Sequence, residues 1–308
     1  MGKLFFIINP LAGNGYGNKV WHIVERELKK MAIPYSSFLS EYRGHAKEFV
    51  QSLIENEEQQ INLVVIGGDG TLNEVINGIA NDTRVRLGFI PGGSGNDFSR
   101  GFQIPKEPIE ALNTLVSSLN RETESIDVGF YTSDTSETTF FINNMGTGFD
   151  ALICKDVNSS MMKKWLNRLS MGKLIYVYSL LKRLFTYQCT DLQLTVDGKV
   201  YHFHSTWFVA IANQPYYGGG MKIAPLAKTT DGILNITVVN NLSRLKLLLV
   251  FISVFWGGHT TFKEVHSLVG KQISVYTSSP TLIHVDGEVT GSTPAQITVN
   301  HKVLSLLR

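Results

Sequence analysis

One stretch limits what this chain can fold into more than any other: Ile61-Asn-Leu-Val-Val-Ile-Gly-Gly-Asp-Gly-Thr-Leu-Asn-Glu-Val-Ile-Asn-Gly-Ile-Ala80. Leu63 to Ile66 is a short apolar run, mostly β-branched, as a strand covered on both faces of a parallel sheet requires. Gly67, Gly68 and Gly70 then remove side chains and allow positive φ, so backbone N–H groups can face the space above the sheet. Leu72, Val75, Ile76 and Ile79 recur at helical spacing. Thr71 is the expected N-cap, with Glu74 at capping-box distance. A strand that passes through glycines into a helix N-terminus makes an anion seat, most often for phosphate. Asp69 opposes that logic, because its carboxylate repels the ligand; a Mg²⁺ between them, direct or through water, removes the conflict. No Gly-Lys-Ser/Thr follows, so the run is not a Walker A loop. The three-glycine spacing of dinucleotide folds is absent too.

The residues around this stretch follow the same plan. Leu4 to Ile8 reads as a buried strand that leaves through Asn9-Pro-Leu-Ala-Gly13-Asn-Gly15-Tyr-Gly17. A helix follows from about Lys19 to Met31, with Trp21, Val24, Leu28 and Met31 inward. Tyr35 to Ser40 is a second strand, and a helix opens at Gly44 and runs to about Asn56, with His45 as a surface residue of its first turn. Arg84 to Ile90 is a further strand, ending in Pro91-Gly-Gly-Ser-Gly-Asn-Asp-Phe-Ser-Arg100. There Gly92, Gly93 and Gly95 open space, Ser94 offers a hydroxyl and Asp97 a carboxylate; the plainer alternative is that Asn96 and Asp97 only cap the next helix. Alternating strands and helices predict an open, three-layer α/β domain whose glycine turns share the carboxyl edge of the sheet, where ligands bind. Ile109 to Leu119 adds a helix, and Arg121 to Asp127 leads onward.

From Val128 the pattern changes to short strands between turn signals: Thr139–Asn143, Asp191–Val196, Val200–Phe203, Ser205–Ala212, Leu234–Val239, Gln272–Thr277, Thr281–Val285 and Gln296–Asn300. Asp197-Gly198 is the clearest hairpin signal, and the strand spacing predicts a β-sandwich. The expected division is an α/β nucleotide-binding domain over 1–127 and a β-sandwich over 128–300, with Lys302 to Leu307 returning to the first domain. Two helical stretches interrupt the strands. Met161 to Tyr187 carries Lys163, Lys164, Arg168, Lys173, Lys182 and Arg183 without an acid, interleaved with Trp165, Leu169, Leu174, Tyr178, Leu181 and Phe185. Such a segment either lies on an anionic membrane or covers the sandwich as a solvated helix. Ser243 to Trp256, apolar nearly all round from Leu247 to Phe255, is expected to be a buried helix.

Two acidic clusters stand out in this second half. Ile283-His-Val-Asp286-Gly-Glu288 places two carboxylates about a glycine at a strand end. Residues two apart share one side of a strand, so Asp286 and Glu288 converge if the strand persists; spacing alone fits a surface hairpin equally. Lys228-Thr-Thr-Asp231-Gly-Ile-Leu reads, on its residues alone, as a plain Asp-Gly turn.

Composition narrows the class further. The 308 residues are 43% hydrophobic and 18% charged, as in a globular protein, and are more than one ordinary core holds. A net charge of +2 argues against a nucleic-acid binder that works by overall charge. Cys154 and Cys189 form neither a disulfide framework nor a zinc spacing. The apolar start is too short for a secretory signal and lacks a cleavage site; the run Leu245 to Trp256 contains Lys246 and is too short to span a bilayer. The expected location is the cytoplasm.

Taken together, Gly-Gly-Asp-Gly-Thr-Leu-Asn-Glu resembles the nucleotide-binding signature shared by diacylglycerol kinases, sphingosine kinases, NAD kinases and phosphofructokinases. Pro91 to Phe98 is similar to the Pro-Gly-Gly-Thr-x-Asn-Asp-Phe motif of lipid kinases, which points away from NAD kinases and phosphofructokinases. Asn9 to Gly13, Gly218 to Asp231 and Asp286 to Glu288 complete five blocks in the order found in bacterial diacylglycerol kinase-like lipid kinases. Ser replaces the usual Thr at 40 and 94, and Tyr216 and Tyr217 have no assignable role. The resemblance implies an ATP-dependent kinase that phosphorylates a lipid hydroxyl, such as that of diacylglycerol, in a cleft between the domains, with Mg²⁺ and a place in phospholipid biosynthesis. It implies nucleotide contacts at Asn9, Pro10, Leu11, Ala12, Gly13, Ser40, Gly67, Gly68, Asp69, Gly70, Thr71, Leu72, Asn73, Ser94 and Asp97. It implies catalytic duties for Asp69 and for Asp286 or Glu288 as proton acceptor, Asp286 slightly ahead. A structural Mg²⁺ would take Asp231 and the main-chain carbonyls of Lys228 and Ile233. The implied partner is a lipid presented at a membrane surface, with peripheral contact at the inner face; a homodimer is left open. NAD kinase is the alternative enzyme, and a non-catalytic nucleotide- or lipid-binding protein on the same scaffold the alternative outside catalysis.

Overall fold

The computed structural model describes residues 3–121, 123–133, 138–159 and 173–308. The chain divides into two compact units, Met1–Asp127 with Lys302–Arg308, and Val128–His301.

The first unit alternates strands and helices: β1 (Leu4–Ile8), α1 (Ala12–Lys30), β2 (Tyr35–Leu39), α2 (His45–Asn56), β3 (Ile61–Gly67), α3 (Asp69–Ile79), β4 (Val85–Pro91), α4 (Asp97–Gly101) and α5 (Pro108–Ser118). The strands pair in parallel in the order β2-β1-β3-β4, and Ser305 and Leu306 extend the sheet beside Arg86 and Leu87. β3 is buried along its whole length, as its apolar run requires of a strand with neighbours on both edges and layers on both faces. One layer is α1 and α5, whose Val20, Trp21, Val24, Leu28, Leu112 and Leu115 pack on Leu4, Phe6, Ile8, Val64 and Ile66.

Two local details differ from the sequence reading. α1 begins at Ala12, because Gly13, Asn14 and Gly15 take left-handed conformations (φ 57°, 59° and 88°) that kink its start. Thr71 and Glu74 do not make a capping box. α3 starts two residues before Thr71, behind Gly68, without a side-chain cap. Glu74 instead accepts the Ala46 N–H at 3.3 Å, in the first turn of α2, where a carboxylate favours the helix dipole.

The second unit is an antiparallel sandwich with helices on one outer face. Its elements are β5 (Glu124–Ser133, entering from the first unit), β6 (Thr138–Phe141), β7 (Asn144–Gly148), α6 (Phe149–Ser159), α7 (Lys173–Leu184), β8 (Thr190–Val196), β9 (Lys199–Ala212), β10 (Tyr216–Tyr217), β11 (Met221–Lys222), β12 (Leu234–Asn240), α8 (Arg244–Ser253), β13 (Val265–Gly270), β14 (Gln272–Thr277), β15 (Leu282–Val285), β16 (Glu288–Ser292) and β17 (Ala295–Leu306). β9 serves both sheets. Its first half forms a hairpin with β8 through Asp197 and Gly198, both at positive φ, as a two-residue turn of the primed type demands. Near Ser205, at φ 50°, it changes partners, and its second half lies between β7 and β12. Alternation then sends Val209 and Ile211 into the sandwich core with Leu194, Ile236 and Val285. Phe208, Ala210 and Ala212 face the other way, under α7 and α8, with Leu180, Leu184, Leu247 and Val250.

Lys163, Lys164, Trp165, Arg168 and Leu169 of the basic segment lie outside the described residues. Ser243 to Trp256 is not the buried helix its composition suggests. α8 buries Leu247, Val250 and Ser253, but Leu245, Leu249 and Ile252, with Phe255 and Trp256 after it, are exposed. Composition without a polar face cannot report which side of a helix is covered.

Arg86 on β4 is buried and donates from its guanidinium to the carbonyls of Ser118, Leu119 and Arg121, closing the C-terminal end of α5. Arg86→Met should leave those acceptors without donors and lower unfolding stability by about 2–3 kcal/mol. Urea denaturation followed by circular dichroism measures this; an unchanged midpoint would mean that water replaces the guanidinium at no cost.

Candidate active site

In the first unit three turns meet at the carboxyl ends of the strands, and glycine is what lets them meet. A Cβ on Gly93 would lie 2.4 Å from the Gly68 Cα, and one on Gly13 would lie 2.6 Å from the Gly92 carbonyl oxygen. The turns after β1, β3 and β4 therefore touch backbone to backbone. Side-chain bonds fix them. Asn9 donates from Nδ2 to Thr71 Oγ1 at 2.9 Å and accepts the Leu11 N–H on Oδ1 at 3.0 Å, so one amide joins the first turn to the second. The Gly92 N–H donates to the Gly67 carbonyl at 2.7 Å.

Asp69 reaches across to the turn after β4. Its Oδ2 accepts the Asp97 N–H and its Oδ1 the Phe98 N–H, each at 3.0 Å, so it caps α4 from another segment. Burial pushes its carboxyl up; the two amides and the Arg100 guanidinium pull the other way. Asp97 is itself buried, and its Oδ1 accepts from Arg100 Nη1 at 2.7 Å. A cation at this pair would have to share oxygens that protein donors already use.

The other first-unit candidates line the same edge. Ser40 is buried just beyond β2, its N–H donating to the Ile8 carbonyl at 2.8 Å. Leu11, Gly70 and Ser94 are exposed, and Pro10, Ala12 and Asn73 half-buried. The first amides of α3 carry no side-chain cap, which leaves the positive end of that helix available to an anion. Nearby, Tyr16, Pro91, Asn96, Ser99, Arg100 and Lys106 line a cavity of about 210 Å³. Arg100 and Lys106 were not singled out from sequence; Arg100 closes the quoted glycine block, and its i+3 spacing from Asp97 was the available signal.

The second unit holds Asp286 and Glu288 between β15 and β16. Asp286 takes a left-handed conformation (φ 46°), and its carboxylate accepts three backbone N–H groups: Asn143 at 3.0 Å and Asn144 at 2.9 Å on Oδ1, Ile142 at 3.1 Å on Oδ2. Glu288 is half-buried and accepts from Asn158 Nδ2 at 3.3 Å, while the same Nδ2 donates to the Gly287 carbonyl at 2.9 Å. Beneath the turn lies a buried pair that sequence reasoning missed. His284 Nδ1 accepts the Gly287 N–H at 3.4 Å, so Nε2 carries the proton toward Asp150 Oδ2 at 3.2 Å. Gly146 makes room for it, since a Cβ there would lie 2.0 Å from Asp150 Oδ2. His284 stood inside the quoted motif; Asp150, over a hundred residues away in sequence, gave no signal.

Asp231 is exposed, and its Oδ1 accepts the Ile233 N–H at 3.1 Å across Gly232, at φ 71°. Among the described residues no three of the His, Cys, Asp and Glu side chains gather for a metal. A cation here would rest on one carboxylate and the carbonyls of Lys228 and Ile233, a hard-oxygen donor set of the type Mg²⁺ accepts.

Known proteins resemble both halves of the chain. Residues 3–131 match the family described as "Diacylglycerol kinase catalytic domain", and residues 143–308 match "YegS C-terminal NAD kinase beta sandwich-like domain". The chain is 36% identical over 299 residues to a Bacillus subtilis (strain 168) protein named "Putative lipid kinase YtlR", covering 96% of each. It is 29% identical over 310 residues to a protein named "Diacylglycerol kinase" from Mycobacterium tuberculosis (strain CDC 1551 / Oshkosh), covering 100% of this chain and 96% of that one. In fold it is similar to the "Crystal structure of a putative diacylglycerol kinase from Bacillus anthracis str. Sterne", with a TM-score of 0.79 at 24% identity, over 99% of this chain and 96% of that one. With both halves matched in order and a relative aligned along nearly its whole length, the chain belongs to the diacylglycerol kinase-like family of lipid kinases.

Proposed function

We propose that this lipid kinase transfers the γ-phosphoryl group of ATP to the hydroxyl of a membrane lipid such as diacylglycerol. The observation that carries the nucleotide half of this reading is the uncapped N-terminus of α3, opening among three glycine turns that touch one another. Backbone amides at a helix start suit phosphate oxygens, and the cavity beside Arg100 and Lys106 adds cationic side chains next to that edge. Asp69 then acts through the fold: it holds the turn after β4 against the turn after β3.

For the acceptor half, Glu288 is the proton acceptor and Asp286 the residue that shapes its turn. Asp286 meets three amides, which commits its carboxylate to holding the turn. The lipid oxygen bonds to the γ-phosphorus as the bond from that phosphorus to the β–γ bridging oxygen breaks. ADP leaves with the bridging oxygen, and the hydroxyl proton passes to a Glu288 carboxylate oxygen. The active site is proposed as a cleft where the two units bring these groups together, with the lipid presented from a bilayer. Bound Mg²⁺ supplies charge neutralisation; Asp231 with the Lys228 and Ile233 carbonyls would hold a structural ion.

Transfer of label from γ-labelled ATP into mixed-lipid micelles, with NAD as a parallel acceptor, tests the reaction. Label in a lipid is expected, and label in NAD alone would replace this reading with an NAD kinase. Glu288→Gln should lower kcat by about 10²–10⁴-fold with ATP affinity and unfolding midpoint unchanged. Asp286→Asn should lower both activity and the unfolding midpoint. The reverse pattern, a stable but inactive Asp286→Asn beside an active Glu288→Gln, would assign the base to Asp286.

Gly70 offers a separate check on the nucleotide. A Cβ there meets no atom within 4 Å, so Gly70→Ala adds a methyl without strain. It should hold or raise stability, by up to about 1 kcal/mol, while weakening ATP binding measured by calorimetry. Unchanged ATP affinity would place the phosphates away from this turn.

A further inference from the structure

We propose that the outer face of α8 is a membrane-docking surface that lies in the interfacial layer of an anionic bilayer. The helix has two apolar faces with different fates. Leu247, Val250 and Val254 are buried against the sandwich, whereas Leu245, Leu249, Ile252 and Trp256 are 73%, 61%, 55% and 65% exposed. These four recur at intervals of four, three and four residues, so they form one stripe along the outer side. Phe255, 49% exposed, widens it. Leu226, at 85%, adds to it: Pro225 packs beside Gly257, just past the helix end. A contiguous apolar surface of this kind marks an interaction site.

The charges around the stripe select the occupant. No Asp or Glu occurs from Gly232 to Lys263, a span that carries Arg244, Lys246 and Lys263. The acid that ends the span, Glu264, is paired with Lys246 at 2.7 Å. α7 continues the surface with exposed Tyr178, Leu181 and Phe185 beside exposed Lys182, and Arg244 Nε donates to the Leu184 carbonyl at 3.1 Å, joining the two helices. An apolar stripe rimmed by cations and ended by a tryptophan suits lipid headgroups over acyl chains. A second copy of this chain is disfavoured as occupant, because pairing the stripes would bring the Arg244, Lys263 and Lys182 charges of two copies together while Glu264 is already held by Lys246.

This surface is a property of the second unit's outer helices, and its test needs neither ATP nor turnover, so it stands or falls apart from the proposed reaction. Sedimentation of the full chain with sucrose-loaded vesicles, phosphatidylglycerol mixed into phosphatidylcholine or phosphatidylcholine alone, reads it directly. Binding is expected on the anionic vesicles, weaker on the neutral ones, with a blue shift of Trp256 emission that Trp256→Phe removes. Leu249→Asp/Ile252→Asp should reduce the vesicle partition coefficient about tenfold or more. Leu249→Ser/Ile252→Ser, gentler on folding, should give a smaller loss in the same direction with an unchanged unfolding midpoint. Wild-type binding by folded variants would overturn the inference. So would a dimer in analytical ultracentrifugation that these substitutions dissociate, because the stripe would then face a second copy.

Discussion

The first unit depends on one carboxylate that joins two of its glycine turns. Asp69 sits in the first turn of α3 and receives the amides of Asp97 and Phe98, both at 3.0 Å, from the segment after the neighbouring strand. α4 has five residues and could not persist alone, since a helix this short does not repay its nucleation. Asp69 supplies its N-terminal acceptor and, by doing so, sets the turn after β4 on the turn after β3. The glycines follow from that placement. With Gly93 so close to the Gly68 Cα, any side chain would push the two turns apart. Their first duty is backbone packing, and the space left over the α3 N-terminus is its consequence. Part of the Asp69 charge is met by the Asp97 and Phe98 amides, which lowers its repulsion of an anion at the helix start.

Much of this was legible in the sequence where pattern and physics coincide. β3 and α3 follow from an apolar run and a helical stripe, but Gly67, Gly68 and Gly70 are not at positive φ and α3 begins at Asp69 rather than behind Thr71. The hairpin at Asp197-Gly198 follows from the need for two positive φ angles. Signals failed where a residue works at long range. Thr71 and Glu74 have capping-box spacing, yet Thr71 bonds Asn9 and Glu74 bonds the start of α2, partners 62 and 28 residues distant. β7, Asn144 to Gly148, has two glycines and one large apolar residue; it is a strand because β9 and β15 flank it. α8 fails differently: apolar on both sides, it contains no periodic contrast from which to choose the covered face.

The second unit repeats the device seen at Asp69 and so separates two carboxylates that sequence treats alike. Asp-Gly-Glu offers both acids at one strand end, and nothing in the spacing ranks them. The fold gives them different surroundings. Asp286, at positive φ, reaches back over the segment from Ile142 to Asn144 and gathers three amides that would otherwise lack acceptors at the entry to β7. Each bond fixes the carboxylate in space and commits it to the turn. Below it, the His284 ring accepts the Gly287 N–H and points its other nitrogen at Asp150, so the turn is held from both sides. Glu288 follows that turn with a longer side chain, which accepts from Asn158 Nδ2 at 3.3 Å. In the proposed reaction the Asp286 turn supplies the placement, and the longer Glu288 side chain that follows it supplies the reach toward the acceptor hydroxyl.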